Sequence, residues 1–233
     1  MPERVKRLAG RAWRLANRAL SRAWLARRLR ACPVELERLG HGPAACWVPR
    51  GIAPGAVAYC GGVGLDASYD FALAEAKRLD VHSFDPTPAA IAFMARENRG
   101  RVAFHPWGLM DRDGILRLHA PFDPAHANWF AENLHGTAET VEVECLSIAT
   151  VMARLGHGRI DLMKLDIEGS WFAVIPAMLA AGVRPATLCV EFDSPAPLVR
   201  VRRVVLALEA AGYALAARDG DNAAFVLLKG QPG

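Results

Sequence analysis

The chain has 233 residues, and 52% of them are apolar, which is enough for one substantial hydrophobic core. No apolar run reaches about 18 residues, which argues against a membrane-spanning helix. The five cysteines are scattered without the paired spacing of a zinc site or a disulfide framework. We therefore expect a protein of a reducing compartment, with a cytoplasmic location.

Charge divides the chain at about residue 40. Residues 1–40 carry 11 basic and 3 acidic side chains, a net of +8, whereas the whole chain has a net charge of +4. The remainder therefore has a net charge of −4. An acidic body argues against nucleic acid as its partner.

Residues 4–30 have the pattern of a basic amphipathic helix. Arginines recur every three or four residues along one face, at positions 4, 7, 11, 14, 18 and 22. Such a helix packs on its own domain or on a second subunit, or it binds weakly to an anionic membrane surface or an acidic partner. Four prolines at 33, 43, 49 and 54 then indicate a connector. The predicted organisation is an arm with its connector at 1–45 and one domain at 46–233.

From residue 56 onward, segments with strand and helix patterns alternate. The predicted strands are 56–60, 81–84, 101–105, 115–119, 141–144, 160–167 and 187–192, followed by a hairpin of 213–217 and 223–228. The predicted helices are 67–79, 88–98, 147–155, 170–181 and 197–211. This alternation is typical of a mostly parallel sheet with helices on both faces.

A glycine-rich turn follows the first of these strands. Gly62-Val63-Gly64-Leu65-Asp66-Ala67 fits the G-x-G-x-x-G/A fingerprint, and Asp85 ends the next strand 21 residues after Gly64. Glycines let the backbone approach a ligand closely, and the acid can accept protons from ribose hydroxyls. The alternatives are a tight turn that needs small residues and, for Asp85, a helix cap ahead of Pro88.

Acidic residues also end two later strands. Asp166 and Glu168 follow 160–165, and Glu191 and Asp193 follow 187–190. Ligands of open α/β sheets bind outside the carboxyl ends of the strands, so we expect these four acids to converge there. They suit a cationic ligand or a base that accepts a hydroxyl proton. The structural alternative is an ion pair with Lys164.

His105-Pro106-Trp107 ends a further strand at the same rim. Trp107 could shield an aromatic base and His105 could accept a proton, but a histidine satisfied within the core fits equally well. The other histidines have no ligand-like spacing, so no metal site is predicted: they are His41, His82, His119, His126, His135 and His157.

Several motifs occur in the order of a known family. They are Tyr59–Asp70, Phe84-Asp85-Pro86-Thr87-Pro88, His105–Leu109, Asp111–Gly114 and Ile160–Gly169. The most specific is K-x-D-x-E-G at 164–169. Over about residues 55–230 the chain resembles the FkbM-type S-adenosylmethionine-dependent methyltransferases.

The resemblance implies a Rossmann-like class I methyltransferase fold, whose seventh strand is antiparallel and closes a C-terminal hairpin. It also implies S-adenosyl-L-methionine as cofactor, with a hydroxyl of a sugar or natural product as acceptor. Gly62 and Gly64 would flank the methionine part, Asp85 would hold the ribose, and 105–108 would border the adenine. Residues 126–130 fall where acceptor contacts are expected. The implied catalytic set is Asp166, Glu168 and His105, and the cofactor-binding set is Gly62, Gly64, Asp66, Asp85, Pro86, Thr87, Trp107 and Gly108.

Two rival functions are considered beside this one. The fingerprint and Asp85 alone also fit an NAD(P)-dependent oxidoreductase, which leaves the acidic run at 166–169 unexplained. A non-catalytic interaction protein would keep the fold and dock through the basic arm.

Overall fold

The computed structural model describes residues 3–120, 129, 137–192 and 196–228. Its helices are α1 (Glu3–Ala26), α2 (Ser68–Lys77), α3 (Pro88–Glu97), α4 (Ile148–Leu155), α5 (Trp171–Ala180) and α6 (Leu198–Ala210). Its strands are β1 (Leu36–Leu39), β2 (Cys46–Pro49), β3 (Val57–Gly61), β4 (Asp80–Phe84), β5 (Ala103–His105), β6 (Gly108–Met110), β7 (Gly114–His119), β8 (Thr140–Ser147), β9 (Leu162–Leu165), β10 (Thr187–Glu191), β11 (Tyr213–Asp219) and β12 (Asn222–Leu227). No described helix is both long enough and apolar enough to cross a membrane.

Seven strands form the main sheet in the order β11-β12-β10-β9-β3-β4-β5. The five strands from β10 to β5 are parallel, whereas β12 is antiparallel to both β10 and β11. The sheet is therefore mixed, with one strand reversed. The expected terminal hairpin is confirmed by the pairing of β11 with β12.

Alternation along the strands divides the core into two layers, because successive side chains point to opposite faces. On β3, Tyr59 belongs to the layer covered by α4, α5 and α6, whereas Ala58 and Cys60 belong to the layer covered by α2 and α3. Helices therefore cover both faces of the sheet. Pro176 lies inside α5, which nevertheless runs without a break from Trp171 to Ala180.

A second, three-stranded sheet lies beside the carboxyl end of the main one. Its order is β6-β8-β7, with β6 parallel and β7 antiparallel to β8. A Cβ atom on Gly108 would lie 2.6 Å from Cys145 Sγ, so only glycine allows β6 to lie this close to β8. The small sheet forms a wall opposite the glycine-rich turn.

The predicted connector contains an antiparallel hairpin instead. β1 pairs with β2, and the pairing Leu39–Cys46 spans the predicted domain boundary at residue 45. The Trp47 carbonyl accepts hydrogen bonds from the Tyr69 hydroxyl at 2.7 Å and from the Cys189 thiol at 3.3 Å. The prolines of this segment mark the hairpin's turn and its end, and the hairpin is part of the core.

The second half of α1 packs on the domain. Leu25 is 2% exposed, and the Ser21 hydroxyl donates to the Ala196 carbonyl at 3.2 Å. Two arginines of the basic face, Arg18 and Arg22, donate to the Asp221 carboxylate at 2.7 and 2.8 Å. This part of the helix packs on its own domain, which is one of the alternatives predicted for the arm.

Candidate functional site

The glycine-rich turn leaves β3 in a conformation that only glycine adopts easily. Gly62 has φ +85°, and a Cβ atom there would lie 1.7 Å from the Asp166 carbonyl oxygen. Gly64 has φ +55°, with no other atom within 4 Å of the Cβ position. A side chain at position 62 would therefore clash with the backbone of Asp166. At position 64 a side chain would have room, at the surface of the turn.

Asp85 fastens this turn from the side of β4. One carboxylate oxygen accepts the N–H groups of Val63 and Gly64, both at 2.9 Å. The other accepts the N–H of Thr87 at 2.9 Å and its hydroxyl at 2.7 Å. Four accepted hydrogen bonds fill the usual capacity of a carboxylate. Asp85 therefore holds the turn, and the expected ribose contact requires that it give up one of these bonds.

Thr87 and Asp66 each have a local structural role. The Thr87 hydroxyl caps α3 by accepting the Ala90 N–H at 3.4 Å, so the cap that was considered for Asp85 belongs to Thr87. The exposed Asp66 carboxylate accepts the Ser68 N–H at 2.8 Å.

Lys164, on β9, is buried and contacts the backbone of the turn. Its ammonium lies 3.1 Å from the Asp166 carboxylate and 3.3 Å from the Gly62 carbonyl, and the residue is 5% exposed. Asp70 is buried nearby and accepts the Ser83 hydroxyl at 2.6 Å. Burial alone would lower the pKa of Lys164, but the two carboxylates outweigh it and raise that pKa. The ion pair considered for Lys164 is confirmed for Asp166.

A cleft opens where the main sheet meets the small sheet. Its polar side consists of Gly62, Asp85, Thr87, Asp166, Glu168 and Ser170, and its apolar side consists of Phe84, Pro86, Gly108, Leu109, Met110, Leu116, Leu118, Trp129, Cys145 and Ile167. An adjoining space lies over Val63 and Gly64 and shares Trp129 with the cleft.

The loop after β9 brings two acids to the cleft. Asp166 and Glu168 both line it, and with Asp85 they make three carboxylates among the described lining residues. Glu168 has φ +47°, which is uncommon for a residue with a side chain, and Gly169 follows at +83°. Strained backbone of this kind is concentrated at functional sites.

Of the other two acids expected at this rim, Glu191 does not line the cleft. Glu191 lies instead along a groove with Arg18, Arg22 and Asp221. Asp193 lies outside the described residues. The convergence predicted for four acids therefore holds for Asp166 and Glu168.

His105 and Trp107 do not line the cleft. Trp107 stacks on His105 at a centroid distance of 4.7 Å, and His105 stacks on His82 at 5.3 Å. Burial, together with His82 and His157, lowers the pKa of His105 to about 4. Both residues are partly buried and belong to an aromatic stack that packs against the core. We therefore omit them from the set proposed below.

Trp129 is the tryptophan that lines the cleft. It packs against the cluster of Leu118, Val143 and Cys145 and borders both spaces. Sequence reasoning placed acceptor contacts at 126–130 but did not single out this residue, and 126–128 and 130 lie outside the described residues. Also missed were the apolar residues of the small sheet, since their pattern only indicated strands.

The architecture and the site define an α/β protein with a glycine turn and an acidic cleft at the carboxyl edge of its sheet. A family model, the methyltransferase FkbM domain, matches residues 58–215, and the chain belongs to that family. Membership supports methyltransferase activity. The matched range contains every residue named above for the cleft.

Comparison with curated proteins gives no match. Two crystal structures of the antibiotic-resistance methyltransferase Kmr are similar to the chain at 13% identity. One covers 83% of this chain and 100% of that chain with a TM-score of 0.38, and the other covers 82% and 100% with a TM-score of 0.39. Likenesses at these TM-scores carry no weight for the activity of this chain.

Proposed function

We propose that the protein transfers a methyl group from S-adenosyl-L-methionine to a hydroxyl oxygen of a sugar, a glycan or a small natural product. The observation that carries this proposal is the rigid glycine turn facing an acid-lined cleft, within a chain of the FkbM methyltransferase family. The turn is held by Asp85 on one side and Lys164 on the other. We propose a cytoplasmic setting, which is supported by five free thiols.

The cleft suits this cofactor in charge. Three carboxylates line it, of which Asp166 is paired with Lys164, and they complement a sulfonium and an ammonium group. Gly62 and Gly64 would border the methionine part, and Pro86 and Gly108 would border the nucleoside. Trp129 offers a planar face in place of Trp107. The cofactor supplies an activated methyl group, and the remaining catalysis belongs to the chain.

In this proposal Asp166 and Glu168 position the acceptor hydroxyl, and one of them takes its proton as the new carbon–oxygen bond forms; the methyl carbon–sulfur bond would break in the same step and leave a neutral thioether. A carboxylate base that is correctly placed contributes about 10²–10⁴-fold. Holding the oxygen in line at about 3 Å from the methyl carbon supplies much of the rest. Lys164 fixes the rotamer of Asp166 from below. The apolar wall of the small sheet limits the access of water.

We expect Asp166→Asn or Glu168→Gln to lower kcat by about 10²–10⁴-fold while affinity for S-adenosylmethionine changes only a few-fold. The acceptor is found first by mass spectrometry of cell extract incubated with the protein and an isotopically labelled methyl donor. Glu144→Gln, a carboxylate away from the cleft, is the matched control. Full activity in both cleft variants would exclude a carboxylate base.

We expect the melting temperature to rise with S-adenosylmethionine and to stay unchanged with NAD or NADP. The rival oxidoreductase is supported if a nicotinamide nucleotide stabilises the protein instead. Binding of S-adenosylmethionine without transfer to any component of the extract would favour the non-catalytic alternative.

The role of Asp85 is tested by comparing the cofactor with its 2′-deoxyribose analogue. If Asp85 releases a loop amide to hold the ribose, the protein prefers the ribose form and Asp85→Ala abolishes that preference. If Asp85 only fastens the turn, the substitution weakens both ligands by the same factor. We expect the preference and its loss, measured by calorimetry as a double-mutant cycle.

The outer face of α1 is proposed to make weak contact with an anionic surface or an acidic partner. Trp13, Leu15 and Leu20 are each more than half exposed on this helix. Basic amphipathic helices with such residues bind interfaces in a salt-dependent way.

A further inference from the structure

Two histidines and an aspartate meet at the amino-terminal half of β4, outside the residues that line the cleft. Asp80 and His82 are neighbours along β4, and His157 lies in the loop after α4, 75 residues further along the chain. One ligand atom from each of the three lies within 4.8 Å of the others. Sequence reasoning assigned no metal site because the spacing of the histidines is not local.

The coordinating nitrogen of His82 is buried and points into this cluster. His82 is 8% exposed, and its Nε2 has no hydrogen-bond partner among the described residues. Nε2 lies 3.4 Å from one Asp80 oxygen, and His157 Nε2 lies 3.9 Å from the other. Two ligands of a tetrahedral zinc ion lie about 3.3 Å apart, given bonds of about 2.0–2.1 Å. Small side-chain rotations therefore bring all three atoms to an ion.

The second nitrogen of each histidine is already held. His157 Nδ1 lies 2.7 Å from the Tyr59 hydroxyl, and His82 Nδ1 lies 3.0 Å from His105 Nε2. Ligating histidines are characteristically fixed in this way: when the held nitrogen donates the hydrogen bond, the other nitrogen is free to bind metal. The stack of His82 on His105 and of His105 on Trp107 further restrains the His82 ring.

We propose that Asp80, His82 and His157 form a binding site for a divalent transition-metal ion, with Zn²⁺ as the expected occupant. Two imidazoles and one carboxylate are a recognised zinc ligand set, which leaves one position for water. Asp80 is half-exposed, which gives the ion a path of entry. The ion joins the start of β4 to the loop before β9. His82 precedes Asp85 by three residues, about 10 Å along an extended strand, so the ion would lie away from the cleft.

The test uses the full chain with any affinity tag removed, stripped of metal by a chelator and titrated with Zn²⁺ alone. We expect one Zn²⁺ per chain by calorimetry, a higher melting temperature, and visible bands of four- or five-coordinate cobalt when Co²⁺ is used. Asp80→Asn and His157→Ala should each weaken Zn²⁺ binding by about 100-fold or more, since loss of an outer partner alone costs about 10–100-fold. Tyr59→Phe should weaken it by about 10-fold.

The control is His41→Ala, which removes an exposed histidine outside the cluster and should leave binding unchanged. Melting without metal verifies that each variant is folded; the Asp80 side chain is 54% exposed and can be replaced without a core cavity, whereas that of His157 is 16% exposed, so Asp80→Asn is the milder of the two changes. The proposal is overturned if the native chain binds no Zn²⁺, if Asp80→Asn and His157→Ala bind as the native chain does, or if cobalt gives intense thiolate bands. None of these outcomes depends on methyl transfer.

Discussion

Gly62→Ala is expected to lower the free energy of unfolding by about 3–5 kcal/mol and to abolish cofactor binding. The added Cβ would lie 1.7 Å from the backbone oxygen of Asp166, and a φ of +85° is unfavourable for alanine. Moving the turn away from Asp166 would break backbone hydrogen bonds. The Gly62 N–H donates to the Phe84 carbonyl at 2.9 Å, and the Asp166 N–H donates to the Gly61 carbonyl at 3.0 Å. Urea denaturation measures the loss.

Gly64→Ala is the matched control for this substitution. It lies two residues further along the same turn, with φ +55° and no atom within 4 Å of its Cβ position. Only the cost of the left-handed conformation remains, about 1–2 kcal/mol. Equal losses in the two variants would show that the Asp166 carbonyl does not restrict position 62.

Lys164→Met is expected to lower the free energy of unfolding by about 3–5 kcal/mol. Removing one partner of a buried ion pair leaves a buried charge without compensation. The nearby Asp70 also loses this cation: it is 3% exposed, and burial raises its pKa while Lys164 lowers it. The substitution also releases the Asp166 carboxylate, so methyl transfer should fall together with stability. Chemical denaturation and the activity assay measure the two effects.

The double variant Lys164→Met with Asp70→Asn tests the electrostatic cause. It should lose less stability than the sum of the single variants, because the unpaired buried charge is gone. Lys77→Met is the control, since Lys77 pairs with Glu37 near the surface and is expected to contribute about 1 kcal/mol or less. Additive losses at Lys164 and Asp70 would contradict a direct coupling between them.

Local periodicity was sufficient to predict the alternating elements and the terminal hairpin. The motifs at 62–67, 85 and 166–168 were sufficient to predict the edge of the sheet where the cleft lies, because the ends of parallel strands share one edge. The hairpin of β1 and β2 was missed because its prolines and glycines also fit a linker. Proline at a strand end or in a turn has the same sequence signal as proline in a connector.

Side-chain orientation limited the prediction of the site. His105 ends a strand at the correct edge, but its ring turns into the stack with His82 and Trp107. Asp85 was expected to face a ligand, yet its oxygens accept four hydrogen bonds from the chain, since the neighbouring turn presents two free amides. Asp80 and His82 lie two residues apart on β4, but His157 comes from the loop after α4. No local pattern encodes that proximity.

The hairpin of β1 and β2 also constrains the order of events during synthesis. Trp47 leaves the ribosome early, but Cys189, one of the two groups that hydrogen-bond to its carbonyl, is made more than 140 residues later. Contacts between distant parts of a chain slow folding, and apolar surface that waits for its partner is prone to aggregate. The nascent hairpin therefore exposes Cys46, Trp47 and Val48 until the last third of the polypeptide emerges. The packing of the β1–β2 hairpin on the main sheet is therefore completed late, and the tight packing of the sheet face that it covers depends on that step.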